Sequence, residues 1–253
     1  MSFEPRFGQA AKAYSEFRPE YPAEIFEHIL ALIPPERRNC AMDLGAGTGK
    51  ATAELAKHFA RVIAVEPDPR MAEKLREAEP RAEVRIGTAE AFEQEPSSVD
   101  LVNIATALHW MEVPRVLMNV ARWLRPGGVL AVYGGDFPRT PEAVQAIIRR
   151  EFREHWDPFR DERLRRKEFP QSIVRAANGL KMVEDTSLAY TLPATAREFT
   201  GFCRSTSYGS AYGRSLGDEE AYWRDLESRF AAAAQADKIP VAFKIYLLLL
   251  KKE

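Results

Sequence analysis

Several things are scarce in this chain, and each scarcity removes a class of protein. Two cysteines, Cys40 and Cys203, give neither a disulfide framework nor a zinc pattern. The four histidines stand at 28, 58, 109 and 155, without ligand spacing, so no metal site is expected. The apolar run "IYLLLL" is far too short to span a bilayer. The first residues, "MSFEPRFGQAAKAY", contain no apolar signal core, so the expected location is cytoplasmic. Charge of one sign is also lacking: 36 basic against 37 acidic residues leave a formal net charge of −1. No basic stripe invites nucleic acid or an anionic membrane, and neither is expected as a partner. Internal repeats and low-complexity tracts are absent.

What remains is an ordinary globular composition, 45% hydrophobic and 29% charged over 253 residues. A chain of that length buries about 75% of its unfolded surface and needs no staples. Cys40 abuts a strand-like run and reads as a small buried hydrophobe. The charged run from Arg149 to Glu168 mixes signs and reads as a solvated helical face.

The periodicity divides the chain. Residues from Arg6 to Phe17 and from Ala23 to Ile33 carry apolar side chains at helical spacing, broken by "RPEYP" and "PP". From about residue 36 to 135, short apolar strands alternate with amphipathic helices. The strands are "CAMDLG", "RVIAVEP", "AEVRIG", "SVDLVNIATAL" and "VLAVYGG", the last after a "RPGG" turn. Such alternation predicts a parallel sheet covered by helices on both faces. Beyond Gly135 the rhythm fails. Residues 136–178 read as helical and charged, and "LKMVEDTSLAYTL" as a strand. Residues 196–235 read as two helices around the break "RSTSYGSAYGRS", and "PVAFKIYLLLLKK" as a final strand. We expect one domain over 1–253, with a helical cap at 1–35 and insertions near 136–178 and 194–238 forming a lid.

The first strand runs into "DLGAGTGK", Asp43 to Lys50. The P-loop requires G-x-x-x-x-G-K-[ST], but Gly49-Lys50 is followed by Ala51, and Leu44 stands five before Gly49. The dinucleotide fingerprint requires G-x-G-x-x-G, and Gly45, Gly47 and Gly49 fall one residue short. The loop still brings backbone N–H groups to the carboxyl edge of the sheet, where a ligand can rest. Glu66 ends the second strand, placed to accept both hydroxyls of a ribose and to repel a 2′-phosphate. Asp43 would oppose a pyrophosphate and suit a ligand amine. Together these favour a phosphate-free nucleoside bearing an amino acid, which describes S-adenosylmethionine. Lys50 and Thr52 then read as ordinary residues of the following helix, expected over "TGKATAELAKHF", residues 48–59.

Here the sequence resembles the class I S-adenosylmethionine-dependent methyltransferases, in their type 11 small-molecule group. The matching pieces, in order, are "DLGAGTG", "VEPDPRM", "RIGTAEAF", "VDLVNIATALHWM" and "RWLRPGG". "AYSEFRPEYP" is similar to the N-terminal segment of trans-aconitate methyltransferase-like enzymes. The resemblance covers Phe7 to Gly135 and implies a Rossmann-like, seven-stranded, mostly parallel sheet with its last strand antiparallel. It implies further that Gly45, Ala46, Gly47 and Gly49 form the loop against methionine and ribose. Asp43 would lie near the amine, directly or through water, and Glu66, followed by Pro67, on the ribose. Met71 would pack on the adenine, with Thr88, Ala89 and Glu90 at its edge. Many relatives have Asp at the place of Thr88. Ala105 would offer a carbonyl to the amine.

The remaining candidates concern the methyl acceptor. His109 follows the fourth strand and has the ordinary titration range of a general base. Trp110 could wall the pocket or face the sulfonium. Tyr14 and Arg18 lie four apart on one helical face, and Arg18 could pair with a carboxylate of cofactor or substrate. Arg204 and Tyr208 come from the lid stretch. The expected function is methyl transfer to a small molecule, an oxygen acceptor preferred and nitrogen possible. The alternatives are an NAD-dependent oxidoreductase and a cofactor-binding protein without catalysis. The sequence leaves the oligomeric state open.

Overall fold

The computed structural model describes residues 11–165 and 177–253. Seven strands form one sheet in the order β3-β2-β1-β4-β5-β7-β6. They are β1 (Cys40–Leu44), β2 (Arg61–Glu66), β3 (Glu83–Ile86), β4 (Val99–Ala105), β5 (Leu124–Gly135), β6 (Leu180–Ala194) and β7 (Ile239–Lys252). β1 to β5 pair in parallel, and β7 enters antiparallel between β5 and β6. The expected sheet, with its reversed last strand, is what the chain forms.

β1 is buried throughout and β4 up to Ile104 because both faces are covered. Met42, Val102, Leu130 and Leu248 enter one core, and Ala41, Leu101, Val129 and Leu249 enter the other. This side-to-side alternation within continuous apolar runs is the signature of a sheet sandwiched by helices. Cys40 is buried, as its place at the start of β1 suggested.

The described helices are α1 (Ala11–Phe17), α2 (Ala23–Ala31), α3 (Lys50–Leu55), α4 (Pro69–Ala78), α5 (Val113–Trp123), α6 (Glu142–Glu151), α7 (Ala196–Arg204), α8 (Ser207–Ser215) and α9 (Glu219–Ala234). Local signals set several starts. Asp68 caps α4 through the Arg70 N–H, with Pro69 in the first turn. Thr195 and Glu198 form a reciprocal capping box on α7. The part of the first predicted helix before Ala11 lies outside the described residues.

Four expectations need correction. "RSTSYGSAYGRS" is no break: Thr206 caps it and it forms α8. Its glycines serve close packing, since a Cβ at Gly209 would stand 2.4 Å from the Cys203 carbonyl oxygen. "RPGG" falls within the span of β5, where the register with β4 shifts between Val99 and Leu101. The helix expected over residues 48–59 covers only Lys50–Leu55. The charged run after Arg149 is not wholly a solvated face either. Glu151 and Trp156 are buried, with Glu151 paired to Arg229 at 2.7 Å and accepting from the Tyr222 hydroxyl at 2.7 Å. A π-helical segment, Phe152–Trp156, turns the chain there, and the run beyond Arg165 lies outside the described residues.

The two insertions share an apolar core of their own. Val144, Ile148 and Trp156 of the first pack with Phe199, Phe202, Trp223 and Phe230 of the second. α1 is tied to this roof. The Phe17 ring sits where a Cβ on Gly201 would be, at 2.3 Å, and Arg18 donates to Ser205 Oγ at 2.9 Å.

Candidate functional site

At the carboxyl end of the parallel strands lies a cavity of ≈ 880 Å³, with a smaller compartment of ≈ 90 Å³ beside the glycine loop. Gly45, Gly47 and Gly49 all have left-handed backbones, with φ of 68°, 59° and 91°. They serve different ends. A Cβ on Gly45 would stand 2.6 Å from the Ala107 Cβ, so the loop can pass beneath Ala107 only as glycine. A Cβ on Gly47 would meet nothing within 4 Å, because this residue opens on the cavity. Gly49 does not line either compartment. It precedes α3, and a Cβ there would meet the Leu75 side chain at 3.0 Å.

Asp43 and Ala46 border the smaller compartment. Asp43 is 1% exposed and accepts from Thr52 Oγ1 at 2.6 Å and Asn103 Nδ2 at 2.8 Å. Burial raises its carboxyl above the usual range, and these two hydrogen bonds pull it back. Thr52 is thus no ordinary helix residue but the group that holds Asp43. Lys50 borders the same compartment and forms an ion pair with Glu20.

Glu66 is 6% exposed at the end of β2. One carboxylate oxygen accepts from the Gly47 N–H at 2.8 Å and the other from the Asp68 N–H at 2.9 Å. Burial outweighs these bonds and lifts its pKa to about 7. Pro67, Met71, Thr88, Ala89 and Glu90 continue the wall from there, Met71 and Ala89 buried. Glu90 also accepts from the Glu112 N–H at 2.7 Å, bridging to the loop before α5.

At the end of β4, Ala105 borders both compartments. Thr106 follows with φ 53°, a left-handed backbone uncommon for a β-branched residue. Its hydroxyl lies 3.1 Å from the Tyr21 hydroxyl, and its N–H donates to the Tyr133 carbonyl at 2.7 Å. His109 and Trp110 line the cavity with ring centroids 4.8 Å apart. Burial lowers the His109 pKa to about 4, with Asp161 opposing and Arg163 and Arg18 adding to the fall. The imidazole is therefore neutral at pH 7 but a far weaker base than its ordinary range suggested.

Tyr14, Arg18 and Tyr208 also line the cavity. Arg204 does not. The inward positions of α7 go to Phe199, Phe202 and Cys203, and Arg204 pairs with Glu219 and Glu220 at 3.2 and 2.6 Å. Arg204→Ala should shift stability by no more than about 1 kcal/mol, the range for partly exposed pairs. It should leave ligand affinity unchanged. A denaturant melt and a calorimetric titration with S-adenosylhomocysteine check both, and an affinity loss above fivefold would return Arg204 to the site.

Thr106, Met111, Phe137, Phe152, Arg160 and Arg163 line the cavity without having been anticipated. Thr106 could have been found from its position directly after Ala105. Those from the first insertion carry no periodic signal in the sequence. Among the described residues no cluster of His, Cys, Asp and Glu could hold a metal, and no helix is long and apolar enough to cross a membrane.

Comparison with known proteins finds methyltransferases. Residues 42–132 match the family model described as "Methyltransferase domain". An uncharacterized methyltransferase of Mycobacterium tuberculosis is 43% identical over 126 residues, 50% of this chain and 50% of that one. The match thus spans about half the length of that curated relative. A structure from Anaeromyxobacter dehalogenans, provisionally named a type II methyltransferase, superposes with a TM-score of 0.72 at 25% identity. It covers 94% of this chain and 98% of its own. A phosphoethanolamine N-methyltransferase from Haemonchus contortus, solved with S-adenosylhomocysteine, shares the fold at TM-score 0.53 and 16% identity. It covers 95% of this chain and 57% of its own. Residues 42–132 match a methyltransferase domain, and the chain has the fold of solved methyltransferases.

Proposed function

We propose that the cavity binds S-adenosylmethionine and directs its methyl group to a small-molecule oxygen acceptor. The observation that carries this reading is the pair of buried carboxylates flanking one open glycine. Glu66 stands where ribose hydroxyls can be accepted, Asp43 where an ammonium can be held, and Gly47 leaves room between them. Lys50 beside the loop is engaged by Glu20, and the buried carboxylates Asp43 and Glu66 would repel a phosphate here.

S-adenosylmethionine supplies, when bound, a methyl group on a cationic sulfur that departs as a neutral thioether. The protein's part is alignment, and proximity with orientation supplies about 7–11 kcal/mol in such displacements. Met71 and Ala89 offer an apolar wall for the adenine, and the Ala105 carbonyl a second acceptor for the amine. His109, at a pKa of about 4, would leave a hydroxyl of high pKa almost wholly protonated. It serves instead as a neutral hydrogen-bonding group beside the acceptor. An acceptor that arrives ionised, such as a carboxylate, needs no base: the O–CH3 bond forms as the S–CH3 bond breaks, and no proton moves.

Calorimetry with S-adenosylhomocysteine and NADH tests the reading, and it fails if the first does not bind or the second binds comparably. Glu66→Ala should cost about 1.5–3 kcal/mol of affinity, the range for hydrogen bonds to a charged group. The pH dependence has a defined sign. Glu66 accepts ribose hydroxyls best when ionised, so affinity should fall as pH drops through about 7. The contribution of Glu66 to the stability of the free protein runs the other way. A carboxyl raised from its ordinary value stabilises fully below 4.5 and loses this as pH rises through about 7. Glu66→Gln should flatten the affinity profile, and a profile unchanged by that substitution would remove Glu66 from the ribose site.

A further inference from the structure

Three carboxylates line the larger compartment: Glu66 and Glu90, both tied to backbone N–H groups at the end proposed for the nucleoside, and Asp136, which borders both compartments. The roof supplies arginines. Arg18 donates to the neutral Ser205 hydroxyl, its guanidinium 4.5 Å above the Phe202 ring. Arg160 donates to the Leu164 carbonyl at 2.7 Å. Arg163 reaches the Trp110 carbonyl at 3.4 Å, with Asp161 at 3.8 Å from its Nε. Among the described residues, neither Arg18 nor Arg160 has a carboxylate within 4 Å.

These arginines divide by position. Arg18 borders both compartments, including the one beside Asp43, which puts it at the amino-acid end of the nucleoside. Arg160 and Arg163 border only the larger compartment, three residues apart on one turn-rich segment. Arg160 acts electrostatically on the Tyr208 hydroxyl, and Arg163 on His109. Phe137, Phe152 and Leu164 lie beside them. Arg160, with neutral partners among the described residues, and Arg163, whose Nε is the atom near Asp161, both retain guanidinium donors suited to an oxyanion.

We propose that the methyl acceptor is an amphipathic organic acid. Its oxyanion is received by Arg160 and Arg163, and its apolar part lies against Phe137, Phe152 and Leu164. This inference rests on the methyl-transfer reading and specifies the chemistry of the second substrate.

The test begins with the wild-type protein saturated with S-adenosylhomocysteine, whose failure to bind would strike the methyl-transfer reading itself. Octanoate, octyl phosphate and octanamide are then titrated into that complex. At least one of the two anions should bind about tenfold more tightly than the neutral amide. That factor is the lower end of what a charge-assisted hydrogen bond contributes. The stronger anion tells whether the site prefers a carboxylate or a phosphate. Arg160→Met and Arg163→Met should each weaken that anion about tenfold, and Arg160→Lys less. All three should leave S-adenosylhomocysteine and octanamide within twofold of wild type. Equal affinity for anion and amide overturns the proposal. So does anion affinity indifferent to both methionine substitutions, or no binding by any of the three probes to an otherwise saturated complex.

Discussion

Gly45→Val is expected to abolish measurable S-adenosylhomocysteine binding and to destabilise the protein by roughly 2–5 kcal/mol. Two penalties combine. A left-handed backbone costs a residue with a Cβ about 1–2 kcal/mol, and a β-branched one more. The Cβ would also stand 2.6 Å from the Ala107 Cβ and 3.2 Å from the Met111 Cε, and such overpacking costs typically about 1–3 kcal/mol. The chain can relieve the clash only by moving Ala107 and Met111, which line the same cavity. Gly47→Ala is the control. It has the same hand of backbone but open space around the new methyl, so only the conformational cost of about 1–2 kcal/mol applies. Thermal melts of the two variants decide the matter. If Gly45→Val melts no lower than Gly47→Ala, the contact with Ala107 does not shape the loop.

Asp43→Asn is expected to separate affinity from stability. Asp43 is almost fully buried with Thr52 and Asn103 as donors, and burial disfavours its ionised form. An amide in its place still accepts from Thr52, its NH2 can donate to Asn103 once that amide turns to present its otherwise unpartnered Oδ1, and no charge is buried, so the melting temperature should stay level or rise. The amine of the ligand loses its charged partner, and affinity for S-adenosylhomocysteine should fall by about 1.5–3 kcal/mol, or roughly tenfold to a hundredfold. Asp43→Ala should do both kinds of damage. It leaves the Thr52 hydroxyl and the Asn103 amide without their acceptor, at about 1–3 kcal/mol each. An Asp43→Asn protein that binds at wild-type strength would show that Asp43 is a structural acid and that the amine is held elsewhere.

Much of the cradle was legible because it is local. Strand, glycine loop and helix follow one another, and Glu66 ends the next strand, so linear order specified spatial order. The parallel sheet follows from the same alternation, and the reversed β7 came from the resemblance and not from periodicity. The roof was not legible in this way. Arg160 and Arg163 stand in a charged run whose pattern reads as a solvated face. Only the aromatic core shared by the two insertions turns that segment toward the cavity. Arg204 misled for the opposite reason: it sits in a polar stretch of inviting composition, yet the helical phase of α7 directs it to Glu219 and Glu220. His109 was found by position, but its basicity depends on burial, which no short stretch of sequence reports. Glycine spacing likewise could not separate Gly49, which meets Leu75, from Gly47, which meets open space.

The bonds from Gly47 and Asp68 to Glu66 bear on the cost of binding. A carboxylate oxygen carries two lone pairs, and each oxygen of Glu66 spends one on a backbone N–H. One lone pair per oxygen is left, matched in number to the two hydroxyls of a ribose. If Glu66 receives a ribose as proposed, the side chain needs no rotamer change and surrenders no existing bond when the sugar arrives. Its share of the ordering entropy has been met during folding, so binding energy at this point goes into affinity and not into rearrangement. The same tether fixes the distance between strand β2 and the loop after β1, which makes Glu66 a gauge for the position of the whole glycine turn.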